Sequence, residues 1–471
     1  MPLTPPHRQA VRGHIFHELT RSLCSECGQV IDAQVLIRDN AVYLRKRCPH
    51  HGWQEALVSS DADWYLGALK YNKPGAIPYD FATPTEQGCP HDCGLCPEHQ
   101  QHTCVGLIEI TSRCNLSCPT CFADGGTGYD LTLDQVEAML DRLVATEGHP
   151  EVVQISGGEP TIHPQLLDML AAAQERDINY VMLNTNGLRL AQEPDFVRQL
   201  ARFRPAIYLQ FDGLTASTYQ ALRGQDLRAI KQRALDNLAD AGLYAVLVAT
   251  VTQGVNEGEI GDILRYGLEH PAVLGVSYQP VTFVGRCSDH RDPLHRVTLT
   301  DVLQALEAQT DGLFRVTDFR PVPCPHPTCS ASSYAYVDGD QVIPFPRILD
   351  VDDYLDYVTN RAVPDISAEL RPVMEALWSM GAVMGTEETT ANLTCAACNL
   401  DLPPTFSAEF AHEHFLLVHV HGFMDRHTLD VKRLMKCCIH QLLPDGRAVP
   451  FCAYNTLGYR EGVRREQEAR P

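Results

Sequence analysis

Residues 105–121 read Val-Gly-Leu-Ile-Glu-Ile-Thr-Ser-Arg-Cys-Asn-Leu-Ser-Cys-Pro-Thr-Cys, a short β-rich run followed closely by three cysteines. The apolar and β-branched residues of 105–111 predict a buried strand. Cys114, Cys118 and Cys121 then leave the carboxyl end of that strand in one tight loop. Three thiolates can wrap one face of an iron–sulfur cubane, which normally takes four cysteine ligands, so one iron would stay open for catalysis. The competing interpretation of the same spacing is a structural zinc loop.

The residues that follow alternate between short β-rich runs and amphipathic helical segments. The predicted strands are 105–111, 151–156, 180–184, 206–211, 245–251 and 275–279, and the predicted helices are 133–144, 164–174, 195–202, 227–241 and 258–269. Thr132 is a candidate N-cap for the first of these helices. Such alternation predicts an α/β fold with a parallel sheet, curled into a partial (β/α)6 barrel whose chemistry lies at the carboxyl ends of the strands.

The second predicted strand ends in Ser-Gly-Gly-Glu-Pro-Thr, residues 156–161. Gly157 and Gly158 would let the backbone approach a ligand closely, and the carboxylate of Glu159 could hold an ammonium group. A Gly-Gly-Glu turn alone is common between a strand and a helix. It becomes specific here because the cysteine loop ends the preceding strand, and parallel strands bring these ends together.

Composition excludes several classes of function. The chain of 471 residues has 38 Lys plus Arg against 59 Asp plus Glu, a formal net charge of −21 at pH 7. Such acidity repels phosphate backbones, so we expect no nucleic-acid partner.

No apolar run approaches the roughly 20 residues of a spanning helix, and the N-terminus has no signal-peptide pattern, so we expect a cytoplasmic protein without a transmembrane segment. Because cytosolic cysteines rarely form disulfides, the 18 cysteines favour metal binding.

A candidate metal knuckle lies near the N-terminus, in Cys24-Ser-Glu-Cys27 and Cys48-Pro-His-His51. Three thiolates and an imidazole suit tetrahedral Zn²⁺ or a rubredoxin-like iron, and the spacing leaves both metals open. We expect His51 to be the fourth ligand, with His50 as the alternative. So short a segment has little core, and a bound metal would supply much of its folding free energy. The competing interpretation is a set of unrelated surface cysteines.

A second cysteine group directly precedes the first barrel strand. Its members are Cys89, Cys93, Cys96 and Cys104. Four thiolates would close an auxiliary [4Fe–4S] cluster suited to electron transfer or structural support. Zinc is the competing metal, because spacing does not distinguish the two.

The remaining cysteines lie towards the C-terminus. The predicted ligands of a third cluster are Cys324, Cys329, Cys438 and Cys452, with Cys437 as a possible replacement for one of them. Pro444-Asp-Gly446 predicts a hairpin turn that brings Cys438 beside Cys452. Cys395 and Cys398 form either a second partial site or a pair of buried thiols, and Cys287 is expected in the core.

The cysteine loop and the Gly-Gly-Glu-Pro turn together resemble the radical S-adenosylmethionine (SAM) superfamily over roughly residues 105–286. The resemblance implies a SAM-binding [4Fe–4S] cluster on the catalytic cysteines Cys114, Cys118 and Cys121. It also implies three sets of contacts with SAM. The methionine end would meet Gly157, Gly158 and Glu159, and the ribose would lie near Asn184, Asn186, Gln210 and Asp212. The adenine would lie near Phe122 and the segment 251–256, which includes Asn256. Many members have an aromatic residue just before the third cysteine, where this chain has Thr120.

The complete set of motifs narrows the resemblance to one subfamily. The knuckle, Gly-Cys-Pro-x2-Cys-Gly-x-Cys-Pro at 88–97, Cys-Cys-Ile-His at 437–440 and Pro-Phe-Cys-x-Tyr-Asn at 450–455 are similar to those of tetraether lipid synthases and archaeal dihydropterin dimethyltransferases. The resemblance implies cleavage of SAM to a 5′-deoxyadenosyl radical and formation of a C–C bond at an unactivated carbon. The reaction would be lipid chain coupling or methylation of a pterin-like substrate. A reductant such as ferredoxin or flavodoxin would supply the electron.

An alternative of a different class is a non-catalytic iron–sulfur electron carrier or redox sensor on the same scaffold.

The expected segments are a metal domain at 1–75, an auxiliary-cluster segment at 76–104, a radical SAM core at 105–290 and a C-terminal α+β cluster and substrate domain at 291–471. The expected cofactors are SAM, its [4Fe–4S] cluster, one or two auxiliary [4Fe–4S] clusters and mononuclear zinc or iron. A lipid substrate predicts a long apolar tunnel, and a pterin predicts a compact pocket with an Asp or Asn facing its amide edge.

Overall fold

A computed structural model describes residues 13–287, 292–339, 341–347 and 414–469. A small antiparallel sheet comes first in the chain, and a large mixed sheet with helices follows. Cys395 and Cys398, which the sequence leaves as a partial site or buried thiols, lie outside the described residues.

The first sheet is a four-stranded antiparallel meander. Its strands are β1 (Ile15–Leu23), β2 (Val30–Arg38), β3 (Ala41–Cys48) and β4 (Gly52–Ser59), and helix α1 (Ala62–Ala68) follows. Lys46 of β3 is only 2% exposed. It joins this sheet to the C-terminal part of the chain through hydrogen bonds. Its ammonium donates to the carbonyl oxygens of Arg426 at 2.7 Å and His427 at 2.9 Å.

The centre of the large sheet consists of the predicted βα units. Its parallel strands are β5 (Val105–Thr111), β6 (Val152–Gly157), β7 (Tyr180–Thr185), β8 (Ala206–Gln210), β9 (Ala245–Val251) and β10 (Val273–Pro280). The helices of this region are α2 (Leu133–Glu147), α3 (Leu166–Gln174), α4 (Leu188–Gln192), α5 (Pro194–Leu200), α6 (Ala216–Arg223), α7 (Arg228–Asp240) and α8 (Ile260–Glu269), and α9 (Leu299–Gln309) follows β10. Thr132 caps α2 in a capping box with Gln135, so that prediction is confirmed.

The sheet extends past both ends of this parallel array. The added elements are β11 (Arg320–Pro321), β12 (Ser330–Asp338), β13 (Gln341–Pro344), β14 (Phe415–His421), β15 (Ile439–Leu442) and β16 (Ala448–Pro450). Strand β14 pairs in parallel with β10, and β15 pairs in parallel with β5. The predicted six-stranded array is therefore the centre of a wider sheet, and the C-terminal strands join it. Local periodicity does not report such pairing between distant segments.

Alternate residues of these strands face one interior cavity. The lining residues of the strands include 105, 107 and 109 of β5, 152, 154 and 156 of β6, 182 and 184 of β7, 208 and 210 of β8, 248 and 250 of β9, 277 and 279 of β10, 417, 419 and 421 of β14, and 330, 332 and 334 of β12. A period of two is expected when one face of each strand points inward. Strands β12 and β14 thus belong to the same curved wall as the predicted array.

The C-terminal residues complete the fold with a hairpin and short helices. The helices are α10 (Val431–Met435), α11 (Phe451–Thr456) and α12 (Tyr459–Glu468). Strands β15 and β16 pair His440 with Pro450, which confirms the hairpin predicted at 444–446. Over the part of the chain that the structure describes, no helix has the length and apolar character needed to cross a membrane.

Candidate active site

The cysteine loop follows β5 and borders the interior cavity, which has a volume of about 430 Å³. Cys114, Cys118 and Cys121 all line this cavity. Burial raises the pKa of Cys114 to about 11 and also raises the pKa of Cys118. A thiolate at either position therefore needs a nearby positive charge or a metal. Three sulfurs on one loop facing one cavity fit a [4Fe–4S] cluster that keeps one coordination position open.

Arg286, which follows β10 at the other end of the parallel array β5–β10, holds the backbone of this loop. Its Nε donates to the carbonyl oxygen of Cys118 at 2.9 Å, and its Nη1 donates to that of Gly125 at 2.8 Å. The backbone N–H of Arg286 donates to the carbonyl oxygen of Cys121 at 3.1 Å. One residue thereby fixes both the middle and the end of the loop.

Three further arginines donate to carbonyl groups of the same loop. Arg223 reaches Thr120 at 3.0 Å, while Arg460 and Arg464 both reach Ala123, at 3.2 and 2.7 Å. These side chains come from α6 and α12, which lie far apart in the sequence. Sequence reasoning missed all four arginines, because no local pattern marks a residue that binds a distant backbone.

Gly157 and Gly158 are required by the close approach of the cysteine-loop strand. Gly157 has a φ of +143°, and a Cβ atom there would lie 2.2 Å from the carbonyl oxygen of Thr111. A Cβ atom on Gly158 would lie 2.2 Å from the carbonyl oxygen of Arg113. Both glycines line the cavity, and their lack of a side chain lets the backbones that follow β5 and β6 approach each other closely there.

Glu159 presents a fixed carboxylate in the cavity wall. It is fully buried and accepts hydrogen bonds from the Thr161 amide at 3.0 Å, the Thr185 hydroxyl at 2.8 Å and the Asn186 amide at 2.7 Å. Burial raises the pKa of Glu159, and these hydrogen bonds oppose that rise. The arrangement suits the ammonium group of an amino-acid ligand.

Asn184 and Gln210, which the resemblance implies for SAM binding, both line the cavity. Asn184 accepts a hydrogen bond from Gln154, and Gln210 accepts one from the Lys231 ammonium at 2.7 Å. Lys231 also donates to the carbonyl oxygen of Asn186 at 2.6 Å. Burial lowers the pKa of Lys231 to about 7. The two amides are therefore held in place by neighbouring side chains.

Asp212 and Asn256 do not belong to the residues that line this cavity. Asp212 is fully buried, and its carboxylate lies 2.6 Å from Nη2 and 2.7 Å from Nε of Arg223. The Asn256 amide donates to the carbonyl oxygens of Asp212 at 2.7 Å and Thr250 at 2.9 Å. The carboxylate of Asp212 thus pairs with Arg223, and the Asn256 amide supports the backbone of Asp212. The SAM contacts that the resemblance implies for these two residues stay predictions.

Phe122 packs in an aromatic cluster next to the cysteine loop. Its ring stacks on Phe451 at 5.2 Å and meets Phe423 edge-on at 5.6 Å between centroids. Phe122 and Arg460 border both the interior cavity and a larger outer cavity of about 1080 Å³, which reaches the N-terminal sheet. Phe122 therefore lies at the boundary between the two spaces.

The predicted N-terminal ligands come together in the structure. The ligand atoms of Cys24, Cys27, Cys48 and His51 all lie within 4.8 Å of one another. Nδ1 of His51 is 3.4 Å from the sulfurs of both Cys24 and Cys48. The alternative ligand His50 is not part of this group. Three thiols and one imidazole at these separations fit a tetrahedral metal site.

The second predicted cysteine group is divided in the structure. Cys89, Cys93 and Cys96 line one small pocket. Cys104 instead lies with Cys324 and His102 in a group that could hold a metal ion, and it packs against Cys438. The predicted assignment of Cys104 to the first three cysteines thus differs from its position, because the chain turns towards β15 at Cys104.

The C-terminal thiols lie near one another, and Cys324 packs with Cys438. Burial raises the pKa of Cys452 to about 12, and Cys329 adds to the rise. The pKa of Cys437 is also raised, first by burial and then by Cys452. The pKa of Cys438 rises in turn through burial and through Cys437 and Cys329. Cys437 thus lies with the predicted ligands, and Cys287 is buried beside Val281 and Phe283, as expected of a core residue.

Two family models match the chain. The radical SAM superfamily model matches residues 108–267, and the HMPTM N-terminal zinc ribbon domain matches residues 16–60. These segments contain the cysteine loop with its Gly-Gly-Glu turn and the N-terminal metal group.

Two proteins illustrate the similarity in sequence. The 7,8-dihydro-6-hydroxymethylpterin dimethyltransferase of Methanocaldococcus jannaschii is 32% identical over 480 residues, covering 94% of this chain and 94% of that protein. The mycofactocin maturase MftC of Mycobacterium ulcerans is 30% identical over 190 residues, covering 40% of this chain and 50% of that protein.

Solved structures show weaker similarity. SuiB of Streptococcus suis, bound to its precursor peptide SuiA, has 19% identity and a TM-score of 0.39, covering 45% of this chain and 46% of that chain. A radical SAM methyltransferase from Sphaerobacter thermophilus has 12% identity and a TM-score of 0.31, covering 63% of this chain and 75% of that chain.

Proposed function

Because the chain belongs to the 7,8-dihydro-6-hydroxymethylpterin dimethyltransferase family of radical SAM enzymes, we propose that it methylates a pterin-like substrate. Its cofactors are SAM and a [4Fe–4S] cluster, and the new C–C bond forms at an unactivated carbon of the substrate ring or of its substituent. The N-terminal metal site is the zinc ribbon of this family.

The observation that carries the choice of substrate is the shape and lining of the interior cavity. Its volume of about 430 Å³ is that of a compact ligand pocket. Hydrogen-bonding side chains enter it from strands on several sides, among them Gln154, Asn184, Tyr208 and His419. Coupling of lipid chains requires a long apolar passage, whereas a compact cavity with hydrogen-bonding side chains on several of its strands supports a small heterocycle.

Within this proposal, Cys114, Cys118 and Cys121 hold the cluster, and the arginine contacts keep their loop from moving. A [4Fe–4S] cluster held there would supply the electron for reductive cleavage of SAM. Glu159 orients the ammonium of SAM through a charge-assisted hydrogen bond. Phe122, Phe423 and Phe451 line the cavity beside this loop, and their apolar rings would disfavour water near the reacting groups.

The other thiol groups would serve electron transfer. Cys89, Cys93 and Cys96 lie next to the C-terminal half of the chain, close to Leu434 and Pro450. Cys329, Cys437, Cys438 and Cys452 form the second group, and Cys438 lies at the wall of the interior cavity. An auxiliary cluster at that wall would be within reach of a substrate radical, which supports a role in managing the additional electrons of methylation.

Expression in a bacterial host under anaerobic conditions tests the proposal, because the host supplies the reductant and the one-carbon donors. Pterins and lipids are extracted and compared by mass spectrometry between cells with the wild-type chain, cells with Cys118→Ala and cells with an empty vector. We expect a pterin that has gained one or two methyl groups only in cells with the wild-type chain.

Two other results would contradict the proposal. Lipids with joined chains and unchanged pterins would assign the chain to lipid coupling. Unchanged pterins and lipids, together with a purified protein that carries its cluster but forms no 5′-deoxyadenosine from SAM, would favour a non-catalytic electron carrier.

A further inference from the structure

Strand β14 brings two histidines into the interior cavity that none of the SAM-binding motifs contains. His419 and His421 alternate with core residues along β14 and therefore point to the same side. Parallel pairing places His419 opposite Ser277 of β10. The two imidazoles thus stand on the wall of the barrel that the C-terminal part of the chain adds to the radical SAM core.

His421 is buried without a hydrogen bond. It is 8% exposed, and neither ring nitrogen has a hydrogen-bond partner among the residues that the structure describes. Its ring centroid lies 4.3 Å from that of Phe423, which in turn contacts Phe122 beside the cysteine loop. Because His421 lines the cavity, its ring nitrogens are available to hydrogen-bond with a ligand there.

His419 lies one inward-facing position farther from the cysteine loop. Its Nδ1 is 2.7 Å from the hydroxyl of Ser332, which orients the ring and leaves Nε2 available. The ring centroids of His419 and His421 are 5.8 Å apart. Side-chain amides on β6 and β7 also line the cavity, and Gln154 donates to Asn184 there. Four strands separate β14 from β6 in the sheet, so the curved sheet puts these polar pairs on different walls.

Burial favours the uncharged form of both histidine side chains. It lowers the pKa of His419 to about 4, and it lowers the pKa of His421 well below the usual value, with smaller contributions from His419 and Arg433. Both imidazoles are therefore neutral near pH 7. A neutral imidazole has one N–H donor and one acceptor nitrogen, whereas an imidazolium can only donate.

We propose that His421 and His419 bind the hydrogen-bonding edge of the substrate heterocycle and so fix which carbon faces the cysteine loop. This inference rests on the proposed function. A pterin ring has adjacent donors and acceptors on its amino-pyrimidinone edge, which match two neutral imidazoles. Phe423 lies beside His421 and offers an aromatic surface for the planar ring.

Anaerobic ultrafiltration of the reconstituted holoenzyme with SAM, without reductant, measures binding of 7,8-dihydro-6-hydroxymethylpterin. His421→Leu removes both ring nitrogens, and we expect it to weaken pterin binding about tenfold, the effect of one lost buried hydrogen bond. SAM binding stays unchanged. His421→Gln restores one donor and one acceptor and should recover most of the affinity. His149→Leu, at an exposed position paired with Asp177, is the control.

The results separate this inference from the proposed function. If wild-type protein binds the dihydropterin and His421→Leu binds it equally well, the recognition role is wrong and the methyltransferase function stands. If His421→Leu loses SAM and pterin binding together, the residue is structural and the inference is also overturned. If the wild-type holoenzyme binds no dihydropterin, the proposed substrate is wrong and the inference falls with it.

Discussion

Arg286 donates from its Nε to the carbonyl oxygen of Cys118 at 2.9 Å, across the opening of the barrel. The contact joins the segment after β10 to the centre of the loop that follows β5, at opposite ends of the predicted parallel array. With the second bond to Gly125, it fixes the backbone of the loop that carries the three thiols. The geometry of the cysteine loop therefore depends on closure of the barrel as well as on its own sequence.

Arg286→Leu should impair SAM cleavage. The change removes two charge-assisted hydrogen bonds, each worth about 1.5–3 kcal/mol, and leaves the loop free to move. We expect 5′-deoxyadenosine formation to fall about tenfold or more, because small displacements of reacting groups are costly. The matched control is Arg198→Leu, whose guanidinium lies on the surface beside Asp195. Equal rates for the two variants would show that the loop needs no such support.

Asp212→Asn distinguishes a structural from a ligand-binding role for this carboxylate. The variant leaves the guanidinium of Arg223 buried without its counter-charge, which typically costs about 3–5 kcal/mol. We therefore expect a lower midpoint in urea unfolding of the apoprotein. A direct contact with the ribose of SAM predicts the opposite pattern, with unchanged stability in the absence of SAM and weaker SAM binding.

His51→Ala should remove the metal from the N-terminal sheet. Loss of one of four ligands weakens a tetrahedral site, and we expect the bound metal to contribute to the folding free energy of this small sheet. We expect one metal ion fewer per chain and earlier unfolding of the N-terminal residues in hydrogen exchange. His50→Ala is the control, and equal metal loss in both variants would contradict the assignment of His51.

The ion pair between Asp425 and Arg296 should make stability depend on acidic pH. Burial alone would raise the pKa of Asp425, but Arg296, 2.8 Å away, and further hydrogen bonds bring it to about 2. A lowered pKa stabilises the fold above the unfolded-state value of 3.8, and that contribution is lost as pH falls towards 2. From pH 5 to pH 3, urea unfolding of the apoprotein should show wild type losing more stability than Asp425→Asn. A constant difference between them would contradict the shift.

The sequence predicts the central strands, the cysteine loop and the Gly-Gly-Glu turn, because their signals are local. A strand followed by three cysteines requires no knowledge of distant residues. The pairing of β14 with β10 is not readable in this way, and His419 and His421 accordingly escape notice. The same limit explains Cys104, whose neighbour in sequence is Cys96 but whose neighbour in space is Cys324.

Residue roles are less predictable than residue positions. The resemblance implies that Asp212 contacts SAM, and the structure adds an ion pair between its carboxylate and Arg223. Motif position places it correctly at the end of β8, but the side chain that meets it comes from α6, which the sequence analysis did not identify. Gly157 and Gly158 likewise serve the close packing of two strands as well as the cavity.

The most direct test of the central claim is 5′-deoxyadenosine formation from SAM by the purified, reconstituted and reduced protein, with and without 7,8-dihydro-6-hydroxymethylpterin. The account predicts that wild-type protein forms 5′-deoxyadenosine, that the dihydropterin increases the rate, and that Cys118→Ala forms none while it keeps the metal of its N-terminal sheet. Absence of 5′-deoxyadenosine from wild-type protein whose iron content shows a loaded cluster on Cys114, Cys118 and Cys121 would contradict it.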